Sequence, residues 1–450
     1  MNEMMTVGIV GGGLAGCECA LRLARAGVPV TLFEQKPDHM SPAHTSPCLA
    51  ELVCSNSLRN NEPTSGIGML KAEMRSLGSD FMRLADANAV PAGKALAVDR
   101  EAFARDMTAC VDACPGIVRV ARRIRGLDDP ALSPFDKVVI AAGPLASEEL
   151  ADSLSRAVGG RHLYFYDAIA PIVSAESLDM SVVFRASRYD CEQEHPGEGD
   201  YLNCPMSREE YLAFYDALMA AEKVTAREFE KEVHFEGCMP IEALAARGVK
   251  TLTFGPLKPV GFIDPRTGRR PWALVQLRQE TSNASAYNLV GCQTKLTYGA
   301  QAEVFRKIPG MERAEFVRFG SMHRNTYVNA PQVLAPDLSL LDNGRVHLAG
   351  QITGVEGYVE SAACGLWLGM LLAARARGRE LPLPPEECAL GALLAHLRRP
   401  VKKFQPSNAH FGLMPDLPER ARKSDRKVKF AERAATAFAA WRQAIAGTGD

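Results

Sequence analysis

The sequence has no long hydrophobic run and no excess of charge of either sign. No stretch approaches the ~18 uninterrupted apolar residues that a membrane span needs, and no charged segment followed by an apolar run opens the chain. The formal net charge of -1 gives no overall sign of nucleic-acid binding. We therefore expect a soluble, cytoplasmic protein without a membrane partner.

The twelve cysteines form neither a C-x-x-C pair nor a zinc-finger spacing. Because they are scattered through a large chain, reduced thiols are expected rather than disulfides, and no metal site is predicted. A single cysteine is more often a small buried residue than a nucleophile. A catalytic thiol therefore needs support from the motif around it.

The length of 450 residues predicts two domains, since single hydrophobic cores stop growing near ~250 to 300 residues. Charge is uneven along the chain. From Leu397 to Asp450 there are 12 Lys and Arg residues against 5 Asp and Glu residues. This basic C-terminal part could follow a phosphate backbone, although a solvated helix face explains it equally simply.

The segment VGIVGGGLAGCECALRLARAGVPVTLFEQ, beginning at Val7, predicts a β-strand, a glycine turn, a helix and a second strand. Its glycines fit the pattern G-x-G-x-x-G, and Glu34 follows the last of them by 18 residues, near the ~20 that place a carboxylate on a ribose hydroxyl. The turn and the helix N-terminus would receive a pyrophosphate. A dinucleotide is favoured, and S-adenosylmethionine stays an alternative on this segment alone. The predicted ligand-binding residues here are Gly11, Gly12, Gly13, Leu14, Ala15, Gly16 and Glu34.

Two later segments, each a predicted strand followed by a glycine turn, favour FAD. The apolar strand KVVIAAGPL reaches Gly143, and GRVHLAGQITGVEGYVESAACG combines a strand, a turn at Gly350, Gly354 and Gly357, and a helix opened by Tyr358. That helix N-terminus could face an anionic flavin or ribityl chain. Together with the first glycine turn, these two segments resemble the two-part FAD fold of glutathione-reductase-like flavoproteins. Because no second G-x-G-x-x-G follows, NAD(P)H would have to dock transiently.

The predicted fold class is α/β, a glutathione-reductase-like FAD-binding Rossmann fold with an inserted α/β domain. Within the insertion, Ser207 and Glu210 form a capping box before a helix. WALVQLRQE and AYNLVGCQT predict two strands. The predicted division is 1–180 for the first FAD-binding part, 181–324 for the inserted substrate and RNA domain, and 325–450 for the second FAD-binding part with a basic helical C-terminus.

A string of motifs along nearly the whole chain resembles one family, the folate- and FAD-dependent tRNA (uracil-5-)-methyltransferases, which are relatives of the flavoproteins that modify wobble uridines. These motifs are GGGLAGCE, SPAHTSPCLAELVCSNSL, VPAGKALAVDRE, YLNCPM, FEGCMPIE, FGPLKPVG, VQLRQE, MHRNTYVNAP, GQITGVEGYVES and FQPSNAHFGLMP. The resemblance implies methylation of uridine carbon 5 in the tRNA T-loop, with FAD, 5,10-methylenetetrahydrofolate and NAD(P)H. It implies the tRNA T-arm as partner, ribosomal RNA as the alternative target, and no obligate protein partner.

This reaction needs thiols. Carbon 5 of uracil is a poor nucleophile until a thiolate adds at carbon 6 and creates an enolate. The resemblance maps Cys54 and Cys238 onto the family's two functional cysteines. We assign Cys238 as the nucleophile and Cys54 as the acid or base for the carbon 5 proton, or as a group that holds the base. The reverse division stays open, and the other ten cysteines keep the packing interpretation.

Weaker candidates come from two further motifs and the basic part. His323 could stack on the pterin or flavin, or be a hydrogen-bonded histidine at a domain seam. Tyr358 could cover the flavin or folate, or pack in the core. The predicted substrate-binding residues are His323, Arg324, Asn325, Lys402, Lys403 and His410.

Two rivals from other classes remain at this point. A small-molecule FAD oxidoreductase would turn over without RNA and would not need both cysteines. An RNA-binding flavoprotein acting as a folding chaperone or sensor would work unchanged after both cysteines were replaced by alanine.

Overall fold

A computed structural model describes most of the chain, namely residues 5–41, 43–160, 162–168, 170–188, 199–224, 239–402, 404–418, 422 and 425–447. The strands are β1 (Val7–Val10), β2 (Val30–Glu34), β3 (Ser57–Asn60), β4 (Ala89–Val90), β5 (Ala95–Val98), β6 (Ile117–Ala121), β7 (Lys137–Ile140), β8 (His162–Ala168), β9 (Ile172–Ser174), β10 (Phe184–Arg185), β11 (Tyr201–Met206), β12 (Ala273–Gln279), β13 (Ala286–Leu289), β14 (Phe316–Arg318), β15 (Met322–Val328), β16 (Ser339–Leu340) and β17 (Asn343–Leu348). The helices are α1 (Leu14–Arg25), α2 (Gly66–Ser76), α3 (Asp80–Ala87), α4 (Arg100–Asp112), α5 (Glu148–Ala157), α6 (Arg208–Ala220), α7 (Ile241–Ala245), α8 (Thr251–Phe254), α9 (Tyr298–Phe305), α10 (Ala330–Val333), α11 (Tyr358–Arg375), α12 (Ala389–His396) and α13 (Arg426–Gly447).

The first sheet has the strand order β16-β17-β7-β1-β2-β6. Its strands run parallel except for β16, which pairs antiparallel with β17. The central strands are continuous apolar runs because helices cover both faces of such a sheet. The residues of β1 are accordingly all buried. This is the predicted Rossmann-type sheet, and the carboxyl ends of β1 and β7 meet at one edge.

Helices α1 and α11 cross closely beside that edge. A Cβ atom at Gly365 of α11 would lie 2.1 Å from the Ala15 carbonyl oxygen of α1, so only glycine permits this approach. The predicted strand–turn–helix–strand unit is confirmed as β1, α1 and β2. The close crossing brings the N-termini of both helices to the same side of the sheet.

The second sheet is antiparallel, with the order β10-β11-β12-β13-β9-β14. The predicted capping box is present, because the Ser207 hydroxyl accepts from the Glu210 N–H while the Glu210 carboxylate accepts from the Ser207 N–H. Both predicted strands, β12 and β13, are also present and pair with each other. Helices α6 and α9 pack on this sheet through Phe214 and Phe305 and complete a separate hydrophobic core.

Strands β8 and β15 pair antiparallel over their full lengths and carry the chain into and out of the second sheet. The second core extends from Val173 to Phe316. Since β9 belongs to the second sheet and precedes residue 181, the sheet begins before the predicted insertion start. The division at residues 181 and 324 stays a prediction.

The C-terminal part ends in α13, which buries Phe430, Phe438 and Trp441 against the first core. The Trp441 indole N–H donates to the Pro382 carbonyl oxygen at 2.9 Å. The basic residues of the first turn of α13 are exposed. Among the helices in the described ranges, none is long and apolar enough to cross a membrane.

Candidate active site

The glycine turn after β1 has the geometry that the motif predicts. Gly11 has a φ of +106°, and a Cβ atom at Gly16 would lie 1.9 Å from the Gly11 carbonyl oxygen, so both glycines are needed for the turn itself. Gly13, the residue before α1, differs because a Cβ atom there would meet no protein atom closer than 4.0 Å. Space is therefore left open where a pyrophosphate would meet the helix N-terminus.

Glu34 ends β2 beside this turn. One carboxylate oxygen accepts from the Gly12 N–H at 2.7 Å and the other from the Lys36 N–H at 3.0 Å. A Cβ atom at Gly12 would lie 2.9 Å from the Glu34 carboxylate, which explains the middle glycine of the run. The acid is thus oriented by the backbone on the wall of a groove.

This groove runs over the carboxyl ends of β1, β2 and β7 and contains about 1070 Å³ of empty space, part of it open to solvent. Its volume is on the scale of a cofactor site. Gly143, Gly350 and Tyr358 line it together with most of the first glycine turn. Gly354 lines neither this groove nor the neighbouring cavity and packs against Phe404 instead. The predicted cofactor residues on the groove are Gly11, Gly12, Gly13, Leu14, Ala15, Glu34, Gly143, Gly350 and Tyr358.

A second cavity opens beside the groove, and Cys54 lies on its wall. The two spaces share lining residues, so the thiol and the groove belong to one connected site. Gln293, which follows β13 of the second sheet, and Asn325 of β15 also line the cavity. The shared residues are Val53, Pro144, Leu145, Gln351 and Tyr358.

Tyr358 connects the thiol to the groove. It is the first residue of α11, and its hydroxyl oxygen accepts from the N–H groups of Cys54 at 2.6 Å and Ser55 at 3.1 Å. Burial raises the pKa of the Tyr358 phenol well above its usual range. The hydroxyl therefore stays protonated at neutral pH and fixes the backbone that carries Cys54.

Arg278 holds the same backbone from the second sheet. Its guanidinium, buried on β12, donates to the Ser55 hydroxyl at 2.7 Å and to the Asn56 side-chain oxygen at 2.8 Å. The Asn56 side-chain nitrogen in turn donates to the carbonyl oxygens of Val98 and Gln279. The two residues after Cys54 are thus fixed by Arg278 and Gln279 of β12 and by Val98 of β5.

Arginine side chains lie near the loop that carries Cys54. The guanidinium groups of Arg100, Arg278 and Arg318 each interact electrostatically with Cys54. Arg100 also pairs with Glu280 at 2.8 Å. The loop that carries Cys54 is therefore contacted by a buried arginine, and a second arginine near it is paired with a carboxylate.

Most other described cysteines have the opposite environment. Cys17, Cys204 and Cys388 are fully buried, and burial raises the pKa of each thiol far above its usual range. Burial also raises the pKa of Cys364 to about 11 and that of Cys292 to about 12. Such thiols are inert at neutral pH, in contrast to the half-buried Cys54 on its cavity wall.

Comparison with known proteins identifies the family. The family described as "Glucose inhibited division protein A" matches residues 6–380. A "Methylenetetrahydrofolate--tRNA-(uracil-5-)-methyltransferase TrmFO" of Nitratidesulfovibrio vulgaris is 66% identical over 98% of this chain and 92% of its own length. The proteins of the same name from Oleidesulfovibrio alaskensis and Lawsonia intracellularis are 66% and 58% identical, over 98% and 97% of this chain and of their own lengths. The chain belongs to this TrmFO family.

A solved relative supports the fold of this TrmFO family member. Aquifex aeolicus GidA in its form II crystal superposes with a TM-score of 0.68 at 17% sequence identity, covering 98% of this chain and 74% of that one. The form I crystal gives a TM-score of 0.66. At this identity the likeness bears on the fold, and it confirms the predicted FAD-type α/β architecture.

The predicted substrate residues fall in several places. Asn325 is buried and lines the cavity, next to His323 and Arg324, whose backbone pairs with Asp167 and Tyr166 in the β15–β8 ladder. Lys402 and His410 are exposed. The His410 ring accepts from the Gly412 N–H at 3.0 Å, a local turn contact.

Cys238 and Lys403 lie outside the described residues. The described neighbours that follow Cys238 lead to the cavity, since the Ile241 N–H donates to the carbonyl oxygen of the cavity-lining Gln293 at 2.7 Å. In the part of the chain that the structure describes, no group of three His, Cys, Asp or Glu side chains could hold a metal ion.

Two residues that hold the Cys54 loop or line its cavity were not predicted from the sequence. Arg278 stands in VQLRQE and Gln293 in VGCQT, both quoted for the resemblance or as strands, yet nothing in their spacing links them to Cys54. The available signal was Arg278 itself, a charged residue within the predicted strand WALVQLRQE, because a charge that is buried in a strand must be paired.

Proposed function

We propose that this TrmFO family member methylates carbon 5 of a uridine in the T-loop of tRNA, acting in the cytoplasm. The carbon donor would be 5,10-methylenetetrahydrofolate, and FADH2, replenished by NAD(P)H, would be the reductant. The observation that carries the proposal is the connected site, in which the Cys54 cavity shares a wall with a glycine-lined dinucleotide groove. The names of the relatives support the same reaction.

The groove residues fit FAD. The open space at Gly13 and the N-terminus of α1 would receive the pyrophosphate, and the Glu34 carboxylate would receive a ribose hydroxyl. The N-terminus of α11, at Tyr358, would face the flavin end. When bound, the reduced flavin supplies the two electrons that convert a methylene unit into a methyl group.

The thiols supply what flavin and folate cannot. A thiolate, assigned to Cys238, adds to uracil carbon 6, so that carbon 5 gains the electron density to attack the one-carbon unit. The proton on carbon 5 must then leave, and the thiolate is eliminated as the double bond returns. Cys54 is assigned as the base for that proton, because it lines the cavity and because Tyr358 and Arg278 fix the backbone that carries it.

The target base must leave its stack to reach this site, since a T-loop uridine is paired or stacked in the folded tRNA. Such base flipping costs a few kcal/mol. Specificity would come largely from the shape and backbone of the RNA. The exposed basic residues Lys402, Arg426, Lys427 and Lys429 are proposed as phosphate contacts, so tRNA affinity should fall as salt rises.

The test follows label from [methylene-14C]methylenetetrahydrofolate into an unmodified tRNA transcript, with NADH present and a ribosomal RNA fragment treated in parallel. We expect labelled 5-methyluridine in the T-loop position. Label in ribosomal RNA alone would keep the chemistry and change the substrate. An FAD-loaded, reducible protein that labels neither RNA would contradict the proposal and favour a small-molecule oxidoreductase.

The division of labour between the thiols has its own test. RNA carrying 5-fluorouridine at the target position has no proton to lose at carbon 5, so the thiol adduct at carbon 6 is trapped. Peptide mapping should place the adduct on Cys238, and Cys54→Ala should still form it while failing to methylate normal RNA. An adduct on Cys54 would reverse the assignment.

A further inference from the structure

Three aromatic rings stack at the edge of the second sheet, beside its last strand β14. Tyr298 at the start of α9 lies parallel to Phe319, with ring centroids 5.1 Å apart and an interplanar angle of 16°. Phe319 stacks in the same way on Phe316, with centroids 5.0 Å apart at the same angle. Offset parallel stacking of this kind is a favourable arrangement for aromatic rings. Its repetition over three rings forms a short column, which we call the aromatic column.

The two ends of the aromatic column differ. At the inner end the Arg306 guanidinium lies over the Phe316 ring, 5.9 Å from its centroid, and is held there by two hydrogen bonds to the Ala314 carbonyl oxygen. At the outer end Tyr298 is 61% exposed. The column is therefore capped by a cation on one side and ends in a solvent-facing ring on the other.

Both chain segments of the aromatic column lead directly to the active site. Gln293 lines the Cys54 cavity, and Tyr298 follows five residues later, at most about 18 Å away along extended chain. On the other segment, Arg318 precedes Phe319, donates to the Ala43 carbonyl oxygen at 2.8 Å and interacts electrostatically with Cys54. The exposed ring of Tyr298 thus lies close enough to the cavity for one RNA strand to reach both with a few nucleotides.

The aromatic column is also held rigidly. The buried Gln301 side chain donates to the Gly320 carbonyl oxygen and accepts from the Gly320 N–H, at 2.8 Å and 2.7 Å. Gln301 belongs to α9, which Tyr298 begins, and Gly320 follows Phe319. The two segments that carry the outer rings are therefore fixed to each other before any ligand binds, which lowers the entropic cost of stacking a further ring.

We propose that the aromatic column is a stacking platform for an unpaired nucleobase of the substrate RNA, close to the uridine that enters the cavity. A flat, rigid, solvent-facing ring suits a base, because every base has an aromatic face and single-stranded RNA is bound in this way. The platform would hold the RNA strand on the protein surface next to the flipped base. This inference rests on the proposed RNA methylation and adds a specific contact to it.

The test compares Tyr298→Ala with Tyr298→Phe, which keeps the ring, and with Phe254→Ala, which removes another aromatic side chain of the second domain that is 78% exposed. Affinity for a fluorescent T-arm hairpin should fall about 5- to 150-fold in Tyr298→Ala, the range that loss of one base stack gives. Tyr298→Phe and Phe254→Ala should bind as the parent protein does. The KM for RNA should rise with little change in kcat.

A direct readout uses the parent protein, so it does not depend on the folding of a variant. Hairpins carrying 2-aminopurine at successive positions around the target uridine should show stacking-induced quenching at one position, absent with Tyr298→Ala and retained with Tyr298→Phe. Parent protein that methylates the hairpin but quenches no position, with Tyr298→Ala binding normally, would overturn the inference and leave the proposed function intact. Parent protein that neither binds nor methylates RNA would overturn both.

Discussion

The groove and the Cys54 cavity share a wall, but the backbone shapes the groove whereas side chains shape the cavity. Backbone features give the groove its shape, namely a glycine turn, the carboxyl ends of three strands and the N-termini of two helices. The Cys54 cavity depends on side chains from distant parts of the chain, namely Asn56 beside Cys54, Arg278 on β12 and Tyr358 on α11. A backbone site recognises groups common to many ligands, such as a pyrophosphate, whereas a side-chain site carries the particular chemistry.

The difference predicts how each part will fail. Adding atoms should damage the groove, because its shape depends on glycines that leave space or permit close packing. Removing atoms should damage the cavity, because its loop is held by hydrogen bonds whose loss leaves buried groups unpaired. The two kinds of substitution can be compared in one protein.

The largest effect is expected for Gly16→Val. A Cβ atom at position 16 would lie 1.9 Å from the Gly11 carbonyl oxygen, so the turn and α1 must separate. We expect the free energy of unfolding to fall by about 3 kcal/mol or more, with loss of bound FAD, measured by chemical denaturation and flavin absorbance. Gly344→Ala is the matched control, since a Cβ atom there meets nothing within 4 Å. Equal stability of the two variants would contradict the role given to Gly16.

Gly13→Val should affect the cofactor alone. Its Cβ atom would project into open space, so the unfolding free energy of the apoprotein should not change. FAD affinity should fall on the order of 100-fold, equivalent to ~2.7 kcal/mol, because the added methyl groups occupy the pyrophosphate position. Isothermal titration of the apoprotein with FAD measures the affinity. Normal FAD binding would place the pyrophosphate elsewhere.

The same difference decides what the sequence could predict. The glycine turn and the helix starts are local, because each is set by residues close in the chain, and Glu34 belongs to the same strand–turn–helix–strand unit, so the sequence predicts all of them. The contacts of Arg278 with Ser55 and Asn56 join residues more than two hundred positions apart. Neither periodicity nor spacing encodes such a pairing, so Cys54 was found through the motif around it and its supports were not.

Arg278→Met tests those supports. The substitution keeps most of the side-chain length but removes the guanidinium that donates to the Ser55 hydroxyl and to the Asn56 side-chain oxygen. Because small displacements of a reacting group are costly, kcat for RNA methylation should fall about 10- to 100-fold, while FAD affinity stays normal. The rate of Cys54 alkylation, read by peptide mapping, should change as well. Arg266→Ala, which removes a partly exposed partner of Asp264, is the control and should leave both rates unchanged.

The smallest effect is expected on the pH dependence of stability. It tests a buried side chain in the sheet that carries the groove. His347 is fully buried in β17, facing Asp337, Lys137 and Arg375, and burial lowers its pKa from 6.5 to about 4. Between these values the unfolded chain binds a proton that the folded protein excludes. The free energy of unfolding is therefore not reduced by His347 above pH 6.5, and it falls as the pH falls from 6.5 towards 4.

His347→Leu should remove this dependence, flattening the stability curve by about 1 kcal/mol between pH 6.5 and 5.5. Glu18 and Glu73, whose pKa burial raises to about 7, change stability in the opposite direction over part of the range. The measurement is thus the difference between parent and variant, taken from urea unfolding at each pH. His39→Leu, at an exposed position, should keep the parent's slope. An unchanged slope in His347→Leu would mean that the acid sensitivity of this protein arises outside the sheet that carries the groove.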